Sequence, residues 1–190
     1  MHTLMMMARA VTFFVVGHFA LATVAWADGC PAAPDHNDAL QPLFEALQTA
    51  QGDMEARQIS NQMWQYWADA PDEPSQSMLD EGMSARGVFD FFQALERFDA
   101  LVAYCPFYAE GYNQRAFVNY LRQDYEAALP DLDRAIELNP RHIAALAGRA
   151  LTLIALGHEL EGQKSLRSAL ALNPWLSERV LLRPLPGEEL

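Results

Sequence analysis

Apolar residues in this chain recur at steps of four and then three. Ala94, Phe98 and Leu101 form one such set, Ala128, Leu132 and Ala135 a second, and Gly162, Leu166 and Ala169 a third. That spacing keeps a stripe on one side of a helix. Each set lies 34 residues after the previous one. A column of small residues, Gly82, Ala116 and Ala150, repeats with the same period, as do the prolines Pro106, Pro140 and Pro174. The pattern predicts units of two amphipathic helices. The small column lets the paired helices approach closely, the large column fills the gap to the next unit, and the proline ends the second helix because it lacks an N–H and pushes its predecessor out of the helical region. Asp124 stands before Tyr125 where an N-cap is expected. One such unit cannot bury its own apolar face, so the units must stack.

Two features depart from the simple pattern. Glu81, Arg115 and Arg149 form a charged column, and Pro130 falls inside a second helix, where it should kink that helix or shift its start. Upstream, Leu40–Leu47 and Ile59–Trp67 read as a further hairpin about Gln51-Gly52-Asp53. Downstream, Trp175–Leu182 reads as a short apolar helix that closes the last unit, followed by an extended tail.

The columns of 75–175 resemble the tetratricopeptide repeat. The best copy is 109–140, with Tyr112, Ala116, Tyr120, Tyr125, Ala128, Leu132, Ala135 and Pro140 at the family's spacing. The resemblance implies an all-α, short right-handed superhelical solenoid, with repeats at 75–106, 109–140 and 143–174. The hairpin at 39–70 would be an N-terminal cap, and 175–190 a capping helix and tail. In the family the first helices line a concave groove. The resemblance therefore assigns Leu79, Met83 and Arg86 in the first repeat, with Glu110, Asn113, Phe117, Tyr120 and Leu121 in the second. In the third it assigns Ala144, Ala147, Leu151, Ile154 and Ala155. Such a groove is mostly apolar and suits a peptide with apolar anchors. Leu79 and Met83 stand where the lysine- and asparagine-based carboxylate clamp of some family members begins, so that clamp is not expected.

The N-terminus changes the setting. Residues 1–27 hold Arg9, no acid, an apolar run from Ala10 to Ala25, and the small-x-small site Ala25-Trp26-Ala27. This order reads as a secretory signal cut after Ala27, leaving 28–38 as a flexible mature N-terminus. A periplasmic or secreted location is expected, with no membrane attachment after cleavage. An oxidising compartment allows Cys30 and Cys105, the only two cysteines, to pair; the sequence leaves open whether they do.

A net charge of −12 disfavours nucleic acid or an anionic membrane as the main ligand. No HExxH, phosphate-cradling glycine loop or GxSxG is present. His36, His142 and His158 lack metal-ligand spacing. Asp131 and Asp133, two apart on a helix, do not share a face and read as solvated. Trp64 and Trp67, three apart, do share one and read as packing. The expectation is a non-catalytic scaffold without cofactor, binding a protein or peptide partner, by family analogy in cell-envelope assembly. Self-association into a homo-oligomer is the rival reading.

Overall fold

The computed structural model describes residues 29–185 and 187. The signal segment and its cleavage point lie outside them. Eight helices follow in order: α1 (Asn37–Thr49), α2 (Asp53–Trp67), α3 (Glu73–Gly87), α4 (Phe91–Tyr104), α5 (Ala109–Leu121), α6 (Tyr125–Leu138), α7 (Ile143–Ala155) and α8 (Glu159–Leu172). Three antiparallel pairs, α3–α4, α5–α6 and α7–α8, stack through α4–α5 and α6–α7.

The turns inside the pairs repeat as the sequence does. Phe89, Gln123 and Gly157, each 34 residues apart, all adopt positive φ (63°, 63° and 81°). One residue later, the amides of Asp90, Asp124 and His158 donate back to the carbonyls of Ala85, Asn119 and Leu153. This left-handed stop ends the first helix and leaves the next residue to cap the second. Asp90 accepts from the Gln93 amide at 3.0 Å, and Asp124 from Ala127 at 3.3 Å. Because Asp124 caps it, α6 begins at Tyr125 and Pro130 does not shift its start. Asp72 and Ser75 form a reciprocal capping box at α3. The bonds from Ser75, helped by Tyr104, hold the Asp72 carboxyl below its ordinary value.

Between pairs, Asn139 and Asn173 each accept from the amide two residues on, Arg141 at 3.2 Å and Trp175 at 3.0 Å. The Asn-Pro signal is therefore an Asx turn. Cys105 occupies the same column in the first repeat, and there it is bridged to Cys30.

Packing explains the column sizes. A Cβ on Gly82 would come within 2.5 Å of the Phe98 ring. The largest residue of its column thus faces the smallest of its own, whereas Ala116 and Leu132 share a core. The charged column is a ladder. Glu81 pairs with Arg97 at 3.0 Å, Arg115 with Asp131 at 2.6 Å and Asp99 at 2.8 Å, and Arg149 with Asp133 at 2.6 Å. Asp131 is 7% exposed, not solvated as the sequence suggested. Its bonds and charge, with those of Asp99, raise the Arg115 guanidinium above its ordinary value against the burial that lowers it. Arg115→Ala leaves Asp131 without its partner and is expected to cost about 2 kcal/mol by chemical denaturation.

The hairpin α1–α2 forms where expected, but it does not sit as a layer beneath the first repeat. Its core residues Leu40, Phe44, Leu47, Ile59 and Met63 pack with Ile143, Leu172, Trp175 and Leu176 at the other end of the stack. Gln48 donates to the carbonyls of Ala171 and Leu172, Trp175 Nε1 to Leu47, and Arg179 pairs with Asp53 at 2.8 Å. Its apolar face follows the row of inter-repeat turns and reaches the last one.

The capping helix is also shorter than expected. Only Ser177–Leu181 is helical, as a 3-10 turn. By period these residues begin the first helix of a fourth unit. Pro184 forces Arg183 out of the helical region, and the helix ends. Gln163 then holds the chain, donating to the Leu181 carbonyl at 2.9 Å and accepting from the Arg183 amide at 2.8 Å.

Candidate functional site

A cavity of about 430 Å³ opens between α3, α5 and α7. Of the residues assigned to the groove, Arg86, Asn113, Phe117, Tyr120, Ala147 and Leu151 line it together, as does Ala144. Helical spacing accounts for this: Asn113, Phe117 and Tyr120 step by four and three, and so do Ala147, Leu151 and Ile154.

The other six assigned residues lie outside the lining: Glu110, which joins a buried network, the exposed Ala155 at the end of α7, and Leu79, Met83, Leu121 and Ile154. Leu79 is fully buried in the first-repeat core, and Met83 packs against that core. Leu121 is exposed at the end of α5, outside the cavity lining. Ile154 turns toward α8, where a Cβ on Gly162 would meet it at 2.7 Å. Two contributors come from outside the repeats. Trp64 of α2, and Leu176 with Glu178 of the C-terminal turn, complete the wall. Of the two tryptophans expected to pack, Trp67 does so, against the hairpin core and stacked on His142, whereas Trp64 lies in the groove wall.

The groove has an apolar wall and a polar mouth and floor. The Arg86 guanidinium lies 4.7 Å from the centre of the Phe117 ring, a cation–π contact. Burial lowers the Arg86 pKa and the charge of Glu110 raises it. Burial raises Tyr120, with help from the nearby Tyr125 and Glu178.

Glu110, assigned to the groove by the resemblance, is 1% exposed and belongs to a buried network instead. Its Oε2 lies 2.7 Å from His142 Nε2, and its carboxylate accepts from Asn113 Nδ2 and Gln114 Nε2. His142 Nδ1 accepts from the Ala145 amide at 3.2 Å and caps α7. Since Nδ1 accepts, the proton sits on Nε2 and is donated to Glu110. Trp67 covers the imidazole at a ring separation of 4.7 Å, and Tyr108 donates to the Trp67 carbonyl at 2.7 Å. Burial pushes the Tyr108 hydroxyl far above its ordinary range. Sequence reading missed this network because its central pair, Glu110 and His142, lies 32 residues apart on two different units, and the i,i+3 and i,i+4 spacing of Asn113 and Gln114 to Glu110 does not by itself mark burial.

A second cavity, about 480 Å³, lies where the hairpin meets the inter-repeat turns; it is lined by His36, Tyr66, Asp69, Phe107, Asn139 and Arg141, among others. His36 and Asp69 are paired there at 2.7 Å. Among the described residues, no group of three or more His, Cys, Asp or Glu is placed to hold a metal ion, and no helix is long and apolar enough to cross a membrane.

Residues 109–142 match the tetratricopeptide repeat family. A TPR repeat-containing protein of Rhizobium etli is 28% identical over 120 residues, 63% of this chain and 59% of that protein. The tetratricopeptide repeat protein 36 homolog of Nematostella vectensis is 40% identical over 67 residues, 35% of this chain and 37% of that protein. The chain thus spans less than two thirds of either relative. Among solved structures, the first TPR of Spaghetti (RPAP3) bound to an HSP90 peptide aligns with a TM-score of 0.55 at 19% identity, covering 56% of this chain and 85% of that one. The second TPR domain of human RPAP3, in complex with an HSP70 peptide, aligns at 0.54 and 25% identity, covering 57% and 90%. One unit matches directly and the same columns recur in its neighbours on either side, so the chain carries tetratricopeptide repeats and has the fold of the TPR domains it is similar to.

Proposed function

We propose that this protein is a non-catalytic scaffold that holds a segment of a partner protein in the groove between α3, α5 and α7. The observation that carries this is the cavity itself: Phe117, Tyr120 and Leu151 form an apolar wall beside the Arg86 guanidinium. An apolar concavity with a few converging polar groups is the usual form of a recognition site. The two RPAP3 domains are peptide-bound in their structures, which supports the reading by analogy of fold.

The scaffold works outside the cytoplasm, in the periplasm or as a secreted protein, after cleavage behind Ala27. The sequence signal motivates this placement, and the Cys30–Cys105 bridge suits it. Its partner is a protein of cell-envelope assembly.

Mature protein is used as bait against an exported-fraction extract, beside a Phe117→Asp/Leu151→Asp form shown to be helical by circular dichroism. A protein recovered only by the unmodified bait supports the reading. The same recovery by both baits overturns it.

One feature favours self-association as a second reading. Val88, Phe89 and Phe92 are all at least 74% exposed at the first-repeat turn, and Phe89 holds the left-handed position that Gly157 fills in the third repeat. A bulky residue is costly there. Phe89→Gly relieves that cost; if the patch joins two copies, light scattering shows the parent protein as an oligomer and the variant as a monomer. A parent that stays monomeric at high concentration excludes this reading.

A further inference from the structure

Two of the residues lining the groove carry an oxygen with no partner. Gln114, 2% exposed, donates its Nε2–H to Glu110. A carboxylate accepts only, so this bond fixes the amide's orientation and leaves Oε1 as the end turned away from Glu110. That Oε1 accepts nothing. Thr152, fully buried on the facing helix α7, has a hydroxyl that is also unpartnered. Both residues line the groove, one from each side. Buried polar atoms without partners are few in native proteins because each costs the desolvation it is not compensated for. Two of them in one cavity lining point to a group that enters from outside.

The rest of the lining defines that group. Trp64, Phe117, Tyr120 and Leu151 require an apolar body. Gln114 Oε1 can only accept, and the Thr152 hydroxyl can accept as well. Carboxylates stand at Glu178 and, beneath the groove, at Glu110. The cation in the lining, Arg86, lies over Phe117 and feels the charge of Glu110.

Building on the groove as the partner-binding site, we infer that it takes an apolar side chain tipped with an N–H donor, a tryptophan indole of the partner, and not an acidic peptide end. The indole ring occupies the aromatic wall, and its N–H reaches the unpaired oxygens.

The test is titration of isotope-labelled protein, followed by NMR shifts at groove residues, with three probes: N-acetyl-tryptophanamide, N-acetyl-phenylalaninamide and the acidic peptide SRMEEVD. The tryptophan probe is expected to bind about tenfold more tightly than the phenylalanine probe, the worth of one buried hydrogen bond. The acidic peptide is expected to leave the groove unshifted. Thr152→Val keeps the shape and removes an unpaired hydroxyl, so it should raise the melting midpoint while weakening the tryptophan preference. A merely structural Thr152 would lower the midpoint and leave the preference intact. Equal binding of the two aromatic probes, both lost in Phe117→Asp, overturns the donor reading and leaves the groove reading standing. No groove shift with any probe overturns both.

Discussion

His142→Ala is expected to remove about 4 kcal/mol of folding stability, read as a fall in the denaturant midpoint at unchanged slope. The imidazole serves three neighbours at once. Its Nε2–H meets Glu110 at 2.7 Å, its Nδ1 accepts the Ala145 amide that opens α7, and its ring stacks on Trp67. Alanine ends all three. The largest part of the cost is the carboxylate left behind. Glu110 is 1% exposed, and removing one member of a buried ionic or charge-assisted pair costs about 3–5 kcal/mol. Asn113 and Gln114 still donate to Glu110, which keeps the figure within that range. The lost cap contributes about 1 kcal/mol of it. His142→Asn separates the parts, because asparagine caps well but is too short to reach Glu110; it should be about 1 kcal/mol more stable than the alanine form. Glu110→Gln/His142→Ala removes the stranded charge and should recover part of the loss. A cost below about 1 kcal/mol for His142→Ala would mean that Glu110 is served by its other donors alone. The network also holds the Gln114 amide in place, so the same substitutions disturb the floor of the groove.

The repeats were legible in the sequence because each one writes its packing into columns. Ala94, Ala128 and Gly162 mark close approach, and Phe98, Leu132 and Leu166 mark fill. These requirements recur wherever one pair stacks on another, so the period exposes them. The charged column at 81, 115 and 149 was visible but looked like a defect, because its partners Arg97, Asp99, Asp131 and Asp133 sit on neighbouring helices and only stacking brings them within reach. The hairpin's destination was not legible at all. Nothing in Leu40, Phe44 or Met63 says whether an apolar stripe covers the first repeat or the last. That choice depends on which turns offer apolar residues, here Ile143, Trp175 and Leu176. The same blindness explains the groove. Arg86, Phe117, Tyr120 and Leu151 followed from the resemblance to the repeat family, whereas Trp64 and Leu176 come from segments outside the repeats. Leu79 and Met83 failed for the opposite reason: the first unit's helix turns that face into its own core beside Phe98 and Leu101.

Opening the Cys30–Cys105 bridge is expected to cost about 4 kcal/mol, from the chain entropy released over a separation of 75 residues. The bridge fastens the segment leading into α1 to the end of α4, while the hairpin that follows is fastened to the other end of the stack by Leu47, Trp175 and Gln48. The hairpin is thus held at both extremities, and Trp64 is carried with it to the groove wall. Cys105 is also the residue at which the first repeat departs from its neighbours, which have Asn139 and Asn173 turning the chain through a side-chain bond to the amide two residues on. The first unit has exchanged that local bond for a distant covalent one. Cys30→Ser/Cys105→Asn therefore tests both roles against Cys30→Ser/Cys105→Ser. Each should unfold at a lower urea concentration than the bridged protein and be insensitive to reductant. The asparagine form should regain about 1 kcal/mol over the serine form by restoring the stronger Asx turn. A midpoint for the parent protein that reductant leaves unmoved would mean the hairpin is held by its packing and hydrogen bonds to the repeats without help from the bridge. With reductant lowering the midpoint and asparagine recovering part of the loss, the bridge acts as the clasp that keeps the hairpin, and with it one wall of the groove, against the repeats.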